Sequence, residues 1–582
     1  MSSITGSRRF SEIGKAVFII LMVTFAAHFI FFPLFGIYED DYIYTLPTMN
    51  FSWQEFKGSL LDAWLHPVQA RPLNHFLRHI FFFFTVRHGQ LGAGFLLSWL
   101  LVSANGITLY ALIRRITTYV AALVGALVFV LFPLDTSRQI LMHQTDLLVP
   151  IFLLLVCFHL YLSGRYWMAY IVMAISLLDL ESLFPVFFAA PILAAGVTGS
   201  GWKRLLKRLV IHGVIMAGLF GLLVIGRLLL GEERARDVAS NPIDTVLRVI
   251  QLATEGPLLG VLALVMRPID GAIHSSPTLL PYLLLTMAVI AWGLSGVTTR
   301  AETESDPASA GPPGRRPALF LFVAGLVAWS LSYVLWIPND YFPPIVGIGR
   351  LTGEHSEAAI GAGLVSASLA AWILSLSLAP KRILAVLFSF YCGALVAFGI
   401  QIQLGEYVTY WQETKRFWTE LLDQIRDVQD GEVVLVEQSA DARVIPITKG
   451  FGEFDEETYL PMALPLFVNF PKNWKDEPRV YGVWKGCGAD DLGDSIKVHT
   501  PMWAPTIWPT VRSGKFIYFR AIDGRLERVT DSVSIEGKTL QPKAPPTQDL
   551  PPLLLSNSYL NLVSPVDENR WFTLRGARSY PR

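Results

Sequence analysis

The sequence predicts an α-helical polytopic membrane protein with a C-terminal α/β or α+β domain, and three observations predict it. Of 582 residues 52% are hydrophobic and only 16% charged, well under the quarter usual for soluble domains. Mean hydropathy is +0.45. Apolar runs long enough to cross a bilayer recur over residues 16–403. Lys plus Arg (47) equals Asp plus Glu (47), so no global basicity argues for a nucleic-acid partner. The three cysteines, Cys157, Cys392 and Cys487, stand apart and suit small buried apolar residues better than a disulfide framework.

The basic start Arg8, Arg9 and Lys15 precedes an apolar run from Ala16 to Gly36. That run is too long for a signal-peptide core and lacks a small-x-small cleavage site, so it reads as an uncleaved first span. Further runs at about 91–113, 117–134, 147–163, 166–180, 183–198, 209–230, 277–297, 317–337, 358–378 and 383–403 bring the expected spans to about eleven within a membrane domain of residues 1–403. Alternate loops carry Arg114/Arg115, Arg165, Lys203 to Arg208, Arg300 with Arg315/Arg316, and Lys381/Arg382. By the positive-inside rule that face is cytoplasmic, which puts the N-terminus inside and the C-terminal domain outside. Residues 243–276, with the semi-apolar GPLLGVLALVM, would reverse everything after them as a twelfth span. They are expected at the outer surface, in the interface or re-entering part way. Residues 298–317, TTRAETESDPASAGPPGRRP, bury too little apolar surface to fold and read as a flexible cytoplasmic linker.

From residue 404 to 582 the composition becomes that of a soluble extracytoplasmic domain. Trp411, Phe417, Trp418, Leu421, Leu422, Ile425 and Val428 recur at helical spacing and Gly431 follows as a stop signal. EVVLVE suits a buried strand, KFIYFRAIDGRLERVT a hairpin about Asp523-Gly524, and QPKAPPTQDLPP sets off a tail. The domain contains no nucleophile elbow, phosphate-cradling glycine loop or zinc cluster.

The first outer loop, 37–90, carries the chemistry. FGIYEDDYIYTLP sets Glu39, Asp40 and Asp41 side by side where the first apolar run ends. A helix C-terminus disfavours acids, so the triplet is either the solvated start of a loop or a catalytic group tolerated for its function. Trp53, Phe56, Leu60 and Trp64 then give an amphipathic helix for the membrane interface. HPVQARPLNHFLRHIFFFF, with His66, Arg71, His75, Arg78 and His79, gives a second one leading to the next span.

An acidic pair just after the first span, a loop of interfacial helices and Arg71-Pro72-Leu73 before the second span resemble the GT-C superfamily of membrane glycosyltransferases, which take sugars from polyprenyl-phosphate carriers. Asp179-Leu180-Glu181-Ser182 with Pro185, Arg350 in YFPPIVGIGRL, and a soluble domain after the last span fit the same pattern. The next outward loop offers Asp135, Arg138, His143 and Asp146 without the acidic pair that some members use to hold a metal. The resemblance implies a bacterial inner-membrane enzyme with an undecaprenyl- or similar polyprenyl-phosphate-sugar donor and a lipid, glycan or protein acceptor. It specifies no cofactor and leaves a divalent metal open.

The chemistry such a reaction needs assigns the roles. A sugar on phosphate has a good leaving group, so displacement asks chiefly for a base on the acceptor hydroxyl. Asp40 is the expected base, with Asp41 orienting the acceptor or sharing the proton. The departing phosphate asks for positive charge, for which Arg71, Arg350 and Arg227 are candidates because a guanidinium fork matches phosphate. Glu39, His66, His75 and Glu181 are further substrate-binding candidates. Each has a plainer alternative: snorkelling for Arg71, a helix-end carbonyl or lipid phosphate for Arg227, interfacial placement for the histidines, and a hydrogen-bonded turn for Glu181. Two rival functions remain. A polymerase or ligase of lipid-linked glycans would use arginine and histidine in a large middle loop, and a flippase would show internal repeats with polar groups at the membrane midplane.

Overall fold

The computed structural model describes residues 2–38, 41–49, 51–67, 71–86, 91–199, 201–229, 242–298, 315–336, 349–376 and 381–438, and parts of 464–554. Chain contacts divide it into two compact units. The first comprises Met1–Phe32, Lys57–Ile80 and Phe95–Gln403; the second comprises Pro33–Phe56, Phe81–Gly94 and Leu404–Arg582.

The first unit is helical. Among the described residues eight segments are long and apolar enough to cross a membrane: Ser11–Leu34, Leu91–Arg114, Gln144–Leu162, Trp202–Leu229, Ile243–Ile273, Pro277–Leu294, Thr352–Ser375 and Arg382–Gln424. Four shorter apolar helices, Tyr119–Val130, Tyr166–Leu177, Phe184–Thr198 and Arg316–Leu331, fall on the remaining expected runs. The helices used below are α1 (Ser2–His28), α2 (Asp41–Met49), α3 (Trp53–Leu65), α4 (Pro72–Val86), α5 (Leu91–Arg114), α6 (Tyr119–Val130), α7 (Val149–Leu162), α8 (Tyr166–Leu177), α9 (Ala190–Thr198) and α10 (Trp202–Leu229). They continue with α11 (Pro242–Ile273), α12 (Leu280–Thr298), α13 (Arg315–Leu331), α14 (His355–Ser375), α15 (Lys381–Ile402) and α16 (Thr409–Gln424).

Contacts at the helix ends fix their directions. At one end Glu12 of α1 meets Arg114 of α5 at 3.6 Å, Arg115 donates to the His159 carbonyl and Ser163 Oγ of α7, and Lys15 sits over Trp292 of α12. At the other end His28 contacts the Val130 carbonyl at 2.8 Å, Leu73 N donates to the Leu178 carbonyl, Arg227 reaches Glu181, and Gln403 contacts Phe31. α1, α5, α6 and α7 therefore run in alternating directions. Arg114 and Arg115, with Arg165 just before α8, gather opposite the end that holds the 135–146 and 178–183 loops.

Glycines set the closest helix contacts, as small residues do in membrane bundles. A Cβ on Gly125 of α6 would stand 2.6 Å from the Gly363 carbonyl of α14, and one on Gly361 would stand 2.4 Å from Trp329 N of α13. The expectation of a surface element at 243–276 meets a single helix, α11, long enough to cross and carrying Pro257 and Pro268 inside it. Its Gly256 lies against Tyr333, Gly260 against Trp329 and Phe132, and Gly271 against Ala394 and Phe398. These contacts run over the site-bearing ends of α6 and α13 and along the second half of α15. Of the linker expected over 298–317, residues 299–314 lie outside the described residues, and its two ends are helical.

The second unit contains α2, α16 and a small β region. Gly36 lets Trp411 approach so closely that a Cβ would overlap its ring, and the Tyr38 hydroxyl donates to the Tyr407 carbonyl at 3.1 Å. Phe56 stacks on Phe83 at 3.9 Å. The main sheet has the order β2 (Arg479–Trp484), β1 (Val433–Gln438), β6 (Phe516–Ile522), β7 (Arg525–Arg528). EVVLVE supplies β1, parallel to both neighbours, and KFIYFRAIDGRLERVT supplies the β6–β7 hairpin with Ile522 opposite Arg525. A second, antiparallel sheet joins β3 (Ala489–Asp491), β4 (Ser495–Val498) and β5 (Thr510–Arg512), and β8 (Val533–Ile535) pairs β9 (Lys538–Leu540). Their shared core includes Leu435, Tyr481, Ile496, Val511 and Phe516.

Candidate functional site

Asp41, the last of the three acids that open the first loop, begins a helix and does not terminate one. Asp41 is the first residue of α2, where the partial positive charge of the N-terminus favours a carboxylate. Its side chain is fully buried and accepts from Tyr38 N at 3.4 Å. Asp40 and Glu39, proposed as base and binding residue, lie outside the described residues, as do the side chain of Arg350 and the segment before Gly349 apart from Gly347. Arg350 itself opens a 3-10 turn, Arg350–Glu354.

Three predicted residues from distant parts of the chain converge on one point of the helical unit. Arg71, just ahead of α4, donates to Glu181 through Nε at 3.1 Å and NH2 at 2.6 Å. Arg227, in the last turn of α10, donates through NH1 at 2.9 Å and NH2 at 2.5 Å. Both forks are bidentate, so the Glu181 carboxylate receives four charge-assisted hydrogen bonds. Burial alone would raise its pKa, but the charges of Arg71 and then Arg227 outweigh it and hold Glu181 down at about 2. That makes Glu181 an anchor for two guanidiniums and excludes it as a base near neutral pH.

A second layer lies behind it, and the sequence reading did not assign it to the site. Arg78 Nε donates to Asp146 Oδ1 at 2.6 Å, with NH2 on Oδ2. Asn74, one turn before Arg78 on α4, spends its amide on two carboxylates, Asp146 Oδ1 at 3.1 Å and Asp179 Oδ1 at 2.8 Å. Asp146 reaches this position from a π-helical turn, Gln144–Leu148, ahead of α7, a device often found at functional positions. Asp179 stands in the loop beyond α8. Burial, reinforced by the charge of Asp146, pushes its carboxyl up to about 8 against the hydrogen bond from Asn74. Ser182 Oγ donates to the buried Glu357 of α14, tying the same loop to a third helix. The spacing Arg71, Asn74, Arg78 along one side of α4 was the available signal for this layer.

The remaining candidates have other roles. His66 is exposed at the end of α3 and pairs with Asp62 one turn back at 2.8 Å, a surface contact. His75 is buried in α4, and burial together with the Arg78 charge brings it down to about 4, so its imidazole is neutral at pH 7. Asp135 and Arg138 form a buried ion pair at 3.0 Å. Asp135 accepts from Ser137, Arg138 and Ser356 and fastens the 135–146 loop to α14. A cavity with room for about one water lies beside it, lined by His28, Thr136 and Gln139. Among the described residues no three His, Cys, Asp or Glu side chains gather as a metal site requires. No protein-family model matches the chain, and no curated protein matches it in sequence.

Proposed function

We propose that this protein is a membrane glycosyltransferase of GT-C type. In this reading it transfers one sugar from a polyprenyl-phosphate donor to a hydroxyl of a lipid, glycan or protein, at the extracytoplasmic face of a bacterial inner membrane. The observation that carries the reading is the convergence of Arg71 and Arg227 on Glu181 at the end of the bundle away from Arg114 and Arg115. Two oriented guanidinium forks at one end of a helical bundle suit a phosphate that gains negative charge as its sugar leaves. The outward orientation is supported by the basic residues at the opposite end.

In this mechanism the acceptor oxygen attacks the anomeric carbon as the carbon–oxygen bond to phosphate breaks. The acceptor proton passes to Asp40, and the polyprenyl phosphate departs against the arginine pair. A single displacement inverts the anomeric centre.

The test is the purified protein in liposomes with a panel of polyprenyl-phosphate sugars and a mixed acceptor extract, reading released polyprenyl phosphate. Asp40→Asn is expected to lower turnover by about 10²-fold or more, the scale of a lost general base, while donor binding persists. Full turnover in that variant, or lipid movement across the bilayer without release of polyprenyl phosphate, overturns the proposal in favour of a flippase.

A further inference from the structure

We propose that Asp179 carries a proton in the working protein and closes an acid–amide ring with Asn74, which positions the loop bearing Glu181. The site so positioned is that of the proposed transferase, but the proton is inferred from hydrogen bonding and burial and does not depend on that reading. Asn74 Nδ2 donates to Asp179 Oδ1 at 2.8 Å and to Asp146 Oδ1 at 3.1 Å, which uses both amide hydrogens. The reverse orientation of the amide would set its oxygen against two carboxylate oxygens. Two buried acceptors are then left over on the same pair of side chains, Asn74 Oδ1 and Asp179 Oδ2. Two acceptors cannot satisfy each other, and burying both unpaired is costly. One hydrogen on Asp179 Oδ2 resolves both, because a carboxylic acid donates to the amide oxygen while accepting from the amide nitrogen.

The surroundings favour that hydrogen. Asp179 is fully buried. The charged groups around it are Asp146 ahead of α7, Arg78 on α4 and Arg71 just before it, with Glu181 two residues along its own loop. Both Arg71 and Arg78 have a carboxylate of their own. Burial and Asp146 therefore prevail and push the carboxyl up to about 8. The ring lies between two other contacts that dock the loop on the start of α4, the Leu73 N to Leu178 carbonyl bond and the Arg71–Glu181 pair. Loss of the proton sets a buried anion in the middle of that contact. The sign follows: a carboxyl whose folded pKa is raised contributes stability in full below its unfolded pKa, and loses it as pH rises towards the folded value.

The experiment compares wild type with Asp179→Asn, whose amide reproduces the donor and acceptor of the protonated acid. The full-length protein in detergent is thermally denatured from about pH 5 to pH 9. The expected result is that wild type loses melting temperature relative to the variant through this range. A difference independent of pH, or one that favours wild type more strongly at alkaline pH, overturns the inference. If the variant does not fold, infrared spectra of wild type decide. A protonated-carboxyl band that disappears near pH 8 supports the proposal, and no titrating band there refutes it. In the transfer assay, wild type is expected to fall about tenfold per pH unit above the transition, a limb missing from the variant's profile. Should the melting data agree while no transfer occurs with any donor, the protonation stands and the transferase reading fails.

Discussion

Glu181 holds two guanidiniums, those of Arg71 and Arg227, through a single carboxylate. Replacing it by Gln leaves two guanidiniums facing a neutral amide, and breaking a buried pair in this way costs about 3–5 kcal/mol. Glu181→Gln is therefore expected to denature earlier in detergent at pH 7. Its deficit should shrink as pH falls from about 4.5 toward 2, where wild type also loses the charge. A variant as stable as wild type would show that the arginines do not depend on Glu181. Arg71, Glu181 and Arg227 were legible in the sequence because ionisable residues beside apolar segments invite a functional reading. Asp146 and Asp179 were visible as loop acids, but their meeting at Asn74 was not, since it joins residues 72 and 105 apart in sequence. His66 misled because an interfacial histidine and a surface ion-pair partner look alike in sequence.

At the scale of elements, the apolar runs fall on apolar helices, with the helix over Ile243–Ile273 added to them, because burial in lipid or in a helix bundle demands the same apolar composition. Hydropathy was poorer on length. The run read at 117–134 holds a helix only from Tyr119 to Val130, and that at 183–198 opens as a 3-10 turn before Ala190. Both departures occur where the chain turns into a loop of the site, so backbone needed for side-chain placement replaces regular helix. The hairpin of β6 and β7 was announced by its turn dipeptide. β3, β5, β8 and β9 were not, because strands of three residues have no period to detect. The contact of α13 with α14 offers a direct test of packing. Gly361→Val places a branched side chain against the Trp329 backbone. Overpacking costs typically 1–3 kcal/mol, so a lower melting temperature with no change in helix content is expected. An unchanged value would mean the helices separate freely there.

For the whole molecule, the proposed orientation rests on Arg114, Arg115 and Arg165 lying at the end of the helical unit opposite Glu181. If the site faces outward, an impermeant thiol reagent on intact cells should label a cysteine at His66 and leave one at Arg165 untouched until the membrane is opened. Labelling of Arg165→Cys alone on intact cells would reverse the orientation. The background is small, since Cys157 and Cys392 are buried and Cys487 is easily replaced.

The parallel pairing of β1 has a consequence for how the protein is made. Val433 lies beside both Arg479 and Phe516, so its strand has no finished partner on either side until much later sequence has emerged. Pairings between such remote segments form slowly, and open strand edges are prone to wrong association meanwhile. Chains cut short ahead of β6 should therefore leave an anchored helical body trailing a sticky, half-built sheet, a target for chaperones and proteases on whichever side of the membrane it emerges.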